Sequence, residues 1–528
     1  MAGAGQGGVL GWVRGFAITL AVVGSLFRFV GLGDKVFWFD EAHTGRVIAG
    51  SFMWEVVNDV FDNRVHTREE LLVHQFPRKD RSAAATVRIL AREDPRQTPL
   101  YFVLVRTWTQ LFGPSVVVLR AFSALCGVLC LPLVFLLARE LFGRSLEGWV
   151  AVALVAVSPI FVAYSQEARQ YALWIDLVIL ASWLLLRALR RAERGDGAGW
   201  SFALYGVTIG LALFAHLLTV LVMAAHFVFV VVLNRFRPLR PVWMTLAAQL
   251  VVSTVFWPWA RLILVEAEHR LWISWAAGDI GLATWLRRAA SYYARVFFDI
   301  NDMSLRGPGG VAAALTLMVA AGCVILLVCC APRRARIFTL LLGAACSLPL
   351  IVVDLWSGGV RALVTRYQLP ALLALELAVA FGLSHLLTST VQTRRWVASG
   401  MAVMLVACAT YSDALYAGSQ TWWNKGNGRE ELAVVRQVDD WPAALIVASK
   451  SSRAGVGLAL SIAHQFDKNT RILLVVEPEM PVIPEGFENV FLWRVTPAMR
   501  DLFLAHGWGL RKTEVPDLLH AIRIRSAL

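Results

Sequence analysis

Two carboxylates stand side by side just past the first apolar run, in Trp38-Phe39-Asp40-Glu41-Ala42-His43. A third, Glu167, lies within Tyr164-Ser165-Gln166-Glu167-Ala168-Arg169-Gln170-Tyr171, again between two apolar runs. Ionisable groups at a membrane boundary are costly to hold and by default mark function. A carboxylate within hydrogen-bond reach of a hydroxyl can remove its proton as a general base. Guanidinium groups such as Arg169, Arg361 and Arg366 supply the complementary charge, which stabilises an anion developing in a reaction. Acids and arginines at the ends of different helices, gathered on one face, suit a reaction carried out at that face.

Apolar helices must hold these groups, and the composition agrees. Of 528 residues, 58% are hydrophobic and only 16% are charged, with a mean hydropathy of +0.61; soluble chains average about 45–50% and about 25%. The net charge of +13 sits in short basic clusters between apolar runs, a positive-inside pattern and not a nucleic-acid-binding face. All seven cysteines fall inside apolar runs, where they read as small hydrophobes and fit neither a zinc site nor a disulfide framework.

At about 20 apolar residues per span, the chain reads as about eleven spans, near 10–31, 114–138, 147–163, 170–189, 200–215, 217–234, 242–262, 309–331, 337–354, 368–387 and 396–416. The first has no small-residue cleavage site and reads as a retained helix. Every even-numbered span is followed by a short arginine-rich loop: Arg139 and Arg144, then Arg187 to Arg194, Arg235 to Arg240, Arg333 to Arg336, and Arg394 with Arg395. Those loops are expected in the cytoplasm, with the N-terminus inside and the C-terminus outside.

The first outer loop, residues 33–113, includes an amphipathic stretch from Leu100 to Phe112 suited to the membrane interface. A second, residues 263–307, carries Trp272, Trp275, Trp285, Tyr292 and Tyr293, as in an aromatic belt. The division expected is a transmembrane catalytic domain over 1–417 and a small extracytoplasmic α/β domain over 418–528. In the latter, strand-like runs (Ala444 to Ser449, Arg471 to Glu477, Asn489 to Val495) alternate with helical ones (Gly455 to Phe466, Pro497 to Gly507).

Read in order, the motifs are Asp40-Glu41, Thr98-Pro99-Leu100-Tyr101, Leu119-Arg120-Ala121-Phe122-Ser123, Ser158-Pro159, Tyr164 through Tyr171, and Arg366-Tyr367-Gln368-Leu369-Pro370. This ordered set resembles the GT-C class of membrane glycosyltransferases, among the protein O-mannosyltransferases and aminoarabinose transferases, and family 39 in particular. One position departs from the family pattern: where members carry His-Pro-Pro or Lys-Pro-Pro before Leu-Tyr, this chain has Gln97-Thr98-Pro99, preceded by Arg96.

The resemblance implies an inverting transfer of a monosaccharide from a polyprenyl-phosphate carrier to an acceptor hydroxyl of a lipid, polysaccharide or protein. It also implies a multi-pass protein of the bacterial cytoplasmic membrane with an outward-facing site. Asp40 is then the expected base, with Glu41 and Glu167 as further acids, although Asp is also a favoured helix N-cap. Arg169, Tyr171, Arg361, Arg366, Tyr367 and Arg96 are expected to bind the donor. For the arginines before the tenth span the plainer alternative is snorkelling at the interface, and for Glu167 with Arg169 it is a local ion pair. Glu93, Asp94, Gln166 and Tyr101 are candidates for lining the site, the first two otherwise a solvated charge run. The resemblance fixes no cofactor, and a divalent cation is left open. His43, His66 and His74 share the first loop with acids that could hold a divalent cation, without a diagnostic ligand spacing; His216 and His226 read as packed. The rival function is a transporter or flippase of a lipid-linked saccharide, which should place charge at mid-membrane or break helices at matching repeats. A non-catalytic anchor would need only one span.

Overall fold

The computed structural model describes residues 2–269, 280–300, 307–422, 427–449, 453–477 and 479–523. Trp272 and Trp275 lie outside these residues. By packing, the chain divides into two compact units: Met1–Val30, Pro95–Tyr101 and Arg120–Gly418 form the first, and Gly31–Asp94, Phe102–Leu119 and Ser419–Leu528 the second.

The first unit is helical. Among the described residues, eight helices are long and apolar enough to cross a membrane, or up to nine if the bent pair Ser145–Ala156 and Pro159–Ser165 is one span. Two shorter apolar helices, Gly199–Ala215 and Thr219–Leu233, have 17 and 15 residues. Every span read from the sequence thus falls on helix, and the lower count by length comes from these two short helices and the bend. Helix Leu369–Leu387 lies at the centre, packed on Gly307–Cys330, Arg333–Ser357, Ser145–Ala156 and Gln392–Ala417; nearly all its side chains are buried. At the other ends of the spans, short loops are joined by ion pairs. Arg190 meets Glu140 at 2.7 Å and Arg334 meets Glu193 at 3.0 Å, which ties three of the arginine-rich loops to one face.

The bend has local causes. Pro159 follows Ser158, and the residue before a proline is pushed out of helical conformation. The 62° break leaves the last carbonyls of Ser145–Ala156 without helical partners. Arg28, fully buried at the end of the first helix, donates to Ala156 O at 2.6 Å, Val155 O at 3.0 Å and its own Gly24 O at 2.8 Å. A Cβ at Gly24 would come within 2.0 Å of Ala156 O, so only glycine permits this approach. Ser158 Oγ donates to Val296 O at 2.7 Å.

The second unit is built on a six-stranded mixed sheet: β1 (Val65–His66), β2 (Ala444–Ser449), β3 (Arg471–Val475), β4 (Asn489–Trp493), β5 (Trp508–Lys512) and β6 (Leu518–Arg523), in the order β1-β3-β2-β4-β6-β5. β2 pairs in parallel with β3 and β4, and the other pairings are antiparallel. The parallel strands are continuous apolar runs, as burial on both faces demands. One face packs Leu445, Val447, Leu473, Val490 and Leu492 against Met499 and Phe503 of helix Pro497–Ala505. That helix begins at Thr496, whose hydroxyl accepts the Met499 N–H. The edge strand β1 comes from the first loop, with Val65 opposite Leu473.

Candidate functional site

Asp40 sits in the first turn of helix Phe39–Ala49, in the second unit, where a carboxylate is favoured by the helix dipole. The N-cap is Trp38, so Asp40 is not the cap, and its side chain is partly exposed. Glu41, next along, is fully buried and accepts the Trp38 N–H at 3.4 Å. The helix is held at its far end by Arg106, which is buried and donates to Ile48 O, Arg81 O and, at 3.2 Å, Arg78 O. Glu93 also serves this helix. Its carboxylate meets Arg46 Nη1 at 2.7 Å and the Met53 N–H at 2.8 Å, while Asp94 closes helix Ala83–Glu93.

In the first unit the turn 166–170 is buried throughout. Arg169 Nη2 and Gln170 Nε2 both donate to Gln97 Oε1, at 3.1 and 2.9 Å. The Gln97 segment is itself anchored to helix Arg240–His269: Trp259 Nε1 donates to Pro95 O at 2.8 Å, and Arg96 faces Glu266 at 3.7 Å. Ser123 Oγ donates to Arg169 O at 3.3 Å and shares a 2.9 Å bond with the buried Tyr101 hydroxyl. Gln166 donates to Phe27 O and Val30 O at 2.6 and 2.9 Å, tying the turn to the end of the first helix.

An aromatic cluster extends from this turn. Tyr164 and Tyr171 meet edge to face at 5.2 Å, Tyr171 lies 6.0 Å from His216, and His216 stacks on Trp174 at 4.0 Å. Tyr367 approaches His216 at 6.5 Å and carries the Arg366 guanidinium 5.6 Å from its ring centre. Arg169 stands 6.0 Å from the Tyr171 ring. His216, in the turn between two helices, accepts the Leu218 N–H through Nδ1. Burial first, and then the charges of Arg169 and Arg366, hold its pKa down and the ring neutral. Glu167 lies in the same turn, its backbone carbonyl accepting the Arg169 N–H at 2.7 Å. The structure therefore brings together Arg169, Tyr171, Arg366, Tyr367 and Glu167.

Other candidates have partners elsewhere. Both the Arg361 backbone N–H and its guanidinium bond Asp354, at 2.9 and 3.3 Å, and Nη1 also bonds Gly358 O at 2.8 Å. The three loop histidines are dispersed: His66 lies between Asp62 and Glu70, His74 bonds Ser51, and His43 meets the Phe102 ring edge-on. Among the described residues no group of three His, Cys, Asp or Glu is placed to hold a metal ion. His226 is hydrogen-bonded to Ser182 and Tyr205, the packed state its surroundings imply.

Chemically, the turn and the aromatic wall offer two guanidiniums beside ring faces, a setting for an anionic group with an apolar body. Gln97 and Trp174 belong to it without having stood out in the sequence. For Gln97 the signal was its place in the segment where the family pattern has a basic residue.

Residues 96–261 match the family described as dolichyl-phosphate-mannose-protein mannosyltransferase. No curated protein sequence matches the chain. Among solved structures, ArnT from Cupriavidus metallidurans bound to undecaprenyl phosphate is similar at 13% identity, covering 97% of this chain and 98% of its own, with a TM-score of 0.52. Its apo form gives 12% identity, the same coverage and a TM-score of 0.52. The oligosaccharyltransferase of Archaeoglobus fulgidus gives 14% identity over 88% of this chain and 64% of its own, with a TM-score of 0.47. Similar in sequence to that family over its central spans and in fold along nearly its whole length, the chain is a polytopic membrane protein with the fold of the GT-C glycosyltransferases.

Proposed function

We propose that the chain is an inverting glycosyltransferase that moves a hexose or pentose from a polyprenyl-phosphate carrier to an acceptor hydroxyl on the outer side of a bacterial cytoplasmic membrane. The observation that carries this reading is the pairing of Arg169 and Arg366 around one aromatic cluster, on helix ends expected to face outward. A lipid phosphate offers both guanidiniums a charge-assisted partner, and a structural relative was solved with undecaprenyl phosphate bound. In the reaction the acceptor O–H proton passes to the Asp40 carboxylate and the acceptor oxygen bonds the anomeric carbon. The bond from that carbon to the phosphate oxygen breaks with its electron pair, leaving polyprenyl phosphate. A phosphate leaving group needs no proton. It needs positive charge, which falls to Arg169 and Arg366.

One feature favours the transporter reading: Asp176, Glu376 and Asp413 are buried within spans. Asp176 and Asp413, however, lie only about 6–8 Å along their helices from an end expected outside, against roughly 15 Å to mid-bilayer, and Glu376 alone comes near the middle of its helix. Purified protein incubated with a panel of polyprenyl-phosphate sugars and membrane acceptors, followed by mass spectrometry, should show the acceptor gain one sugar. Passage of intact lipid-linked saccharide across proteoliposomes without transfer overturns the proposal.

A further inference from the structure

The segment that leads into Asp40 is fastened residue by residue to the C-terminal part of the same unit. Val36 N–H donates to Gln420 O at 3.0 Å, and Val36 O accepts from Trp422 Nε1 at 2.8 Å. Phe37 O accepts from Ser461 Oγ at 2.6 Å, and the Phe37 ring lies 4.3 Å from that of His464. His464 Nε2 is in turn 3.3 Å from Gln75 Oε1. Phe39, the residue before Asp40, lies against Gly457 so closely that a Cβ there would fall 2.4 Å from ring atom Cε2 and 2.7 Å from Cδ2. The glycine is mid-helix, in Arg453–Ala463, where it costs about 1 kcal/mol against alanine. Close approach to Phe39 is the return for that cost.

We infer that Gly457, with Ser461 of the same helix, is a positioning residue for Asp40: the C-terminal part of the chain sets the aim of the proposed base through Phe39 and Phe37. This rests on the reading of Asp40 as the base. Positioning matters at this scale because a displacement of about 1 Å at a reacting group costs roughly 10²-fold in rate. A valine at 457 must push the Phe39 ring aside, and Asp40 is bonded directly to that residue.

The test is a double-mutant cycle on the full-length protein in detergent or nanodiscs, with turnover and donor KM measured for the parent, Gly457→Val, Asp40→Asn and the pair. Gly457→Val should lower kcat by about 10²-fold and leave donor KM within about twofold. On the Asp40→Asn background it should have little further effect, because no base remains to be misplaced. Equal losses on both backgrounds, a rise in KM in place of the fall in kcat, or an unchanged kcat overturns the inference while leaving Asp40 as base. Full activity in Asp40→Asn overturns the base assignment, and this inference with it. If Gly457→Val does not give a monodisperse protein, Ser461→Ala takes its place, since it deletes one hydrogen bond without adding bulk. The same pattern is expected with a smaller loss.

Discussion

At the scale of single residues, the reading divides labour between one carboxylate and two guanidiniums. Asp40→Asn keeps the size and the place in the helix but removes the basic oxygen. Turnover should fall roughly 10²–10⁴-fold, the usual worth of a positioned base, with donor affinity retained by a binding assay; near-normal turnover in a folded variant counts against the role. Arg366 and Arg169 are expected to act on affinity instead. Arg366→Ala should weaken binding of polyprenyl phosphate, and Arg366→Lys should restore it only in part, because an ammonium lacks the planar fork that meets two phosphate oxygens. Unchanged affinity in Arg366→Ala removes the residue from the donor site. The sequence exposed Asp40, Arg169 and Arg366 because charge at a membrane boundary is conspicuous. It could not show the partners that the fold gives Arg361 and Gln166, which are Asp354 and Gly358 O for the first and Phe27 O and Val30 O for the second. A backbone carbonyl leaves no trace in side-chain spacing.

Among secondary-structure elements, the strongly patterned ones were legible. The amphipathic stretch read as Leu100 to Phe112 is a helix over Leu100–Phe112, and the strand-like runs of the C-terminal part become β2, β3 and β4. The two-residue β1 is too short to show any period, and only its pairing with β3 defines it. Helix Asn427–Asp439 carries a testable oddity in Glu431, which is 1% exposed, with no hydrogen bond from another residue to its carboxylate among the described residues. Burial is the main cause that pushes its pKa up to about 8. An acid with a folded pKa above its unfolded value binds more protons when folded, so stability falls as pH rises from about 4.5 to about 8 and then levels off. Glu431→Gln should flatten that decline and gain most at pH 8 and above, as measured by thermal unfolding across pH 5–9. Parallel curves for parent and variant would show that Glu431 does not titrate in this window.

For the molecule as a whole, the proposed sidedness rests on where the arginine-rich loops lie in the sequence. Single thiols engineered at Arg64 and Leu504, both exposed, should react with a membrane-impermeant reagent in intact cells. Thiols at Arg190 and Glu193, beside the paired loops, should react only after lysis. The reverse pattern would invert the topology, and labelling of all four in intact cells would break the assignment of an inner face.

Arg28 also bears on how the protein is made. Its carbonyl partner Ala156 is 128 residues downstream, roughly 6–26 s of synthesis at about 5–20 residues per second. Until the bent helix pair has left the ribosome, the Arg28 guanidinium has, of its three carbonyl partners, only Gly24 O of its own helix, and its economical place is snorkelled into the headgroups. Insertion of this chain is therefore expected to take two steps, the leading helix settling to its final depth only once the third apolar run offers its carbonyls to the guanidinium. Ribosome-stalled chains should report the wait directly: a thiol one turn from Arg28 should be modified by a water-soluble reagent in chains stalled before residue 150 and protected in chains stalled well beyond it. Equal protection at both lengths would mean that the first helix reaches its final depth without its clamp.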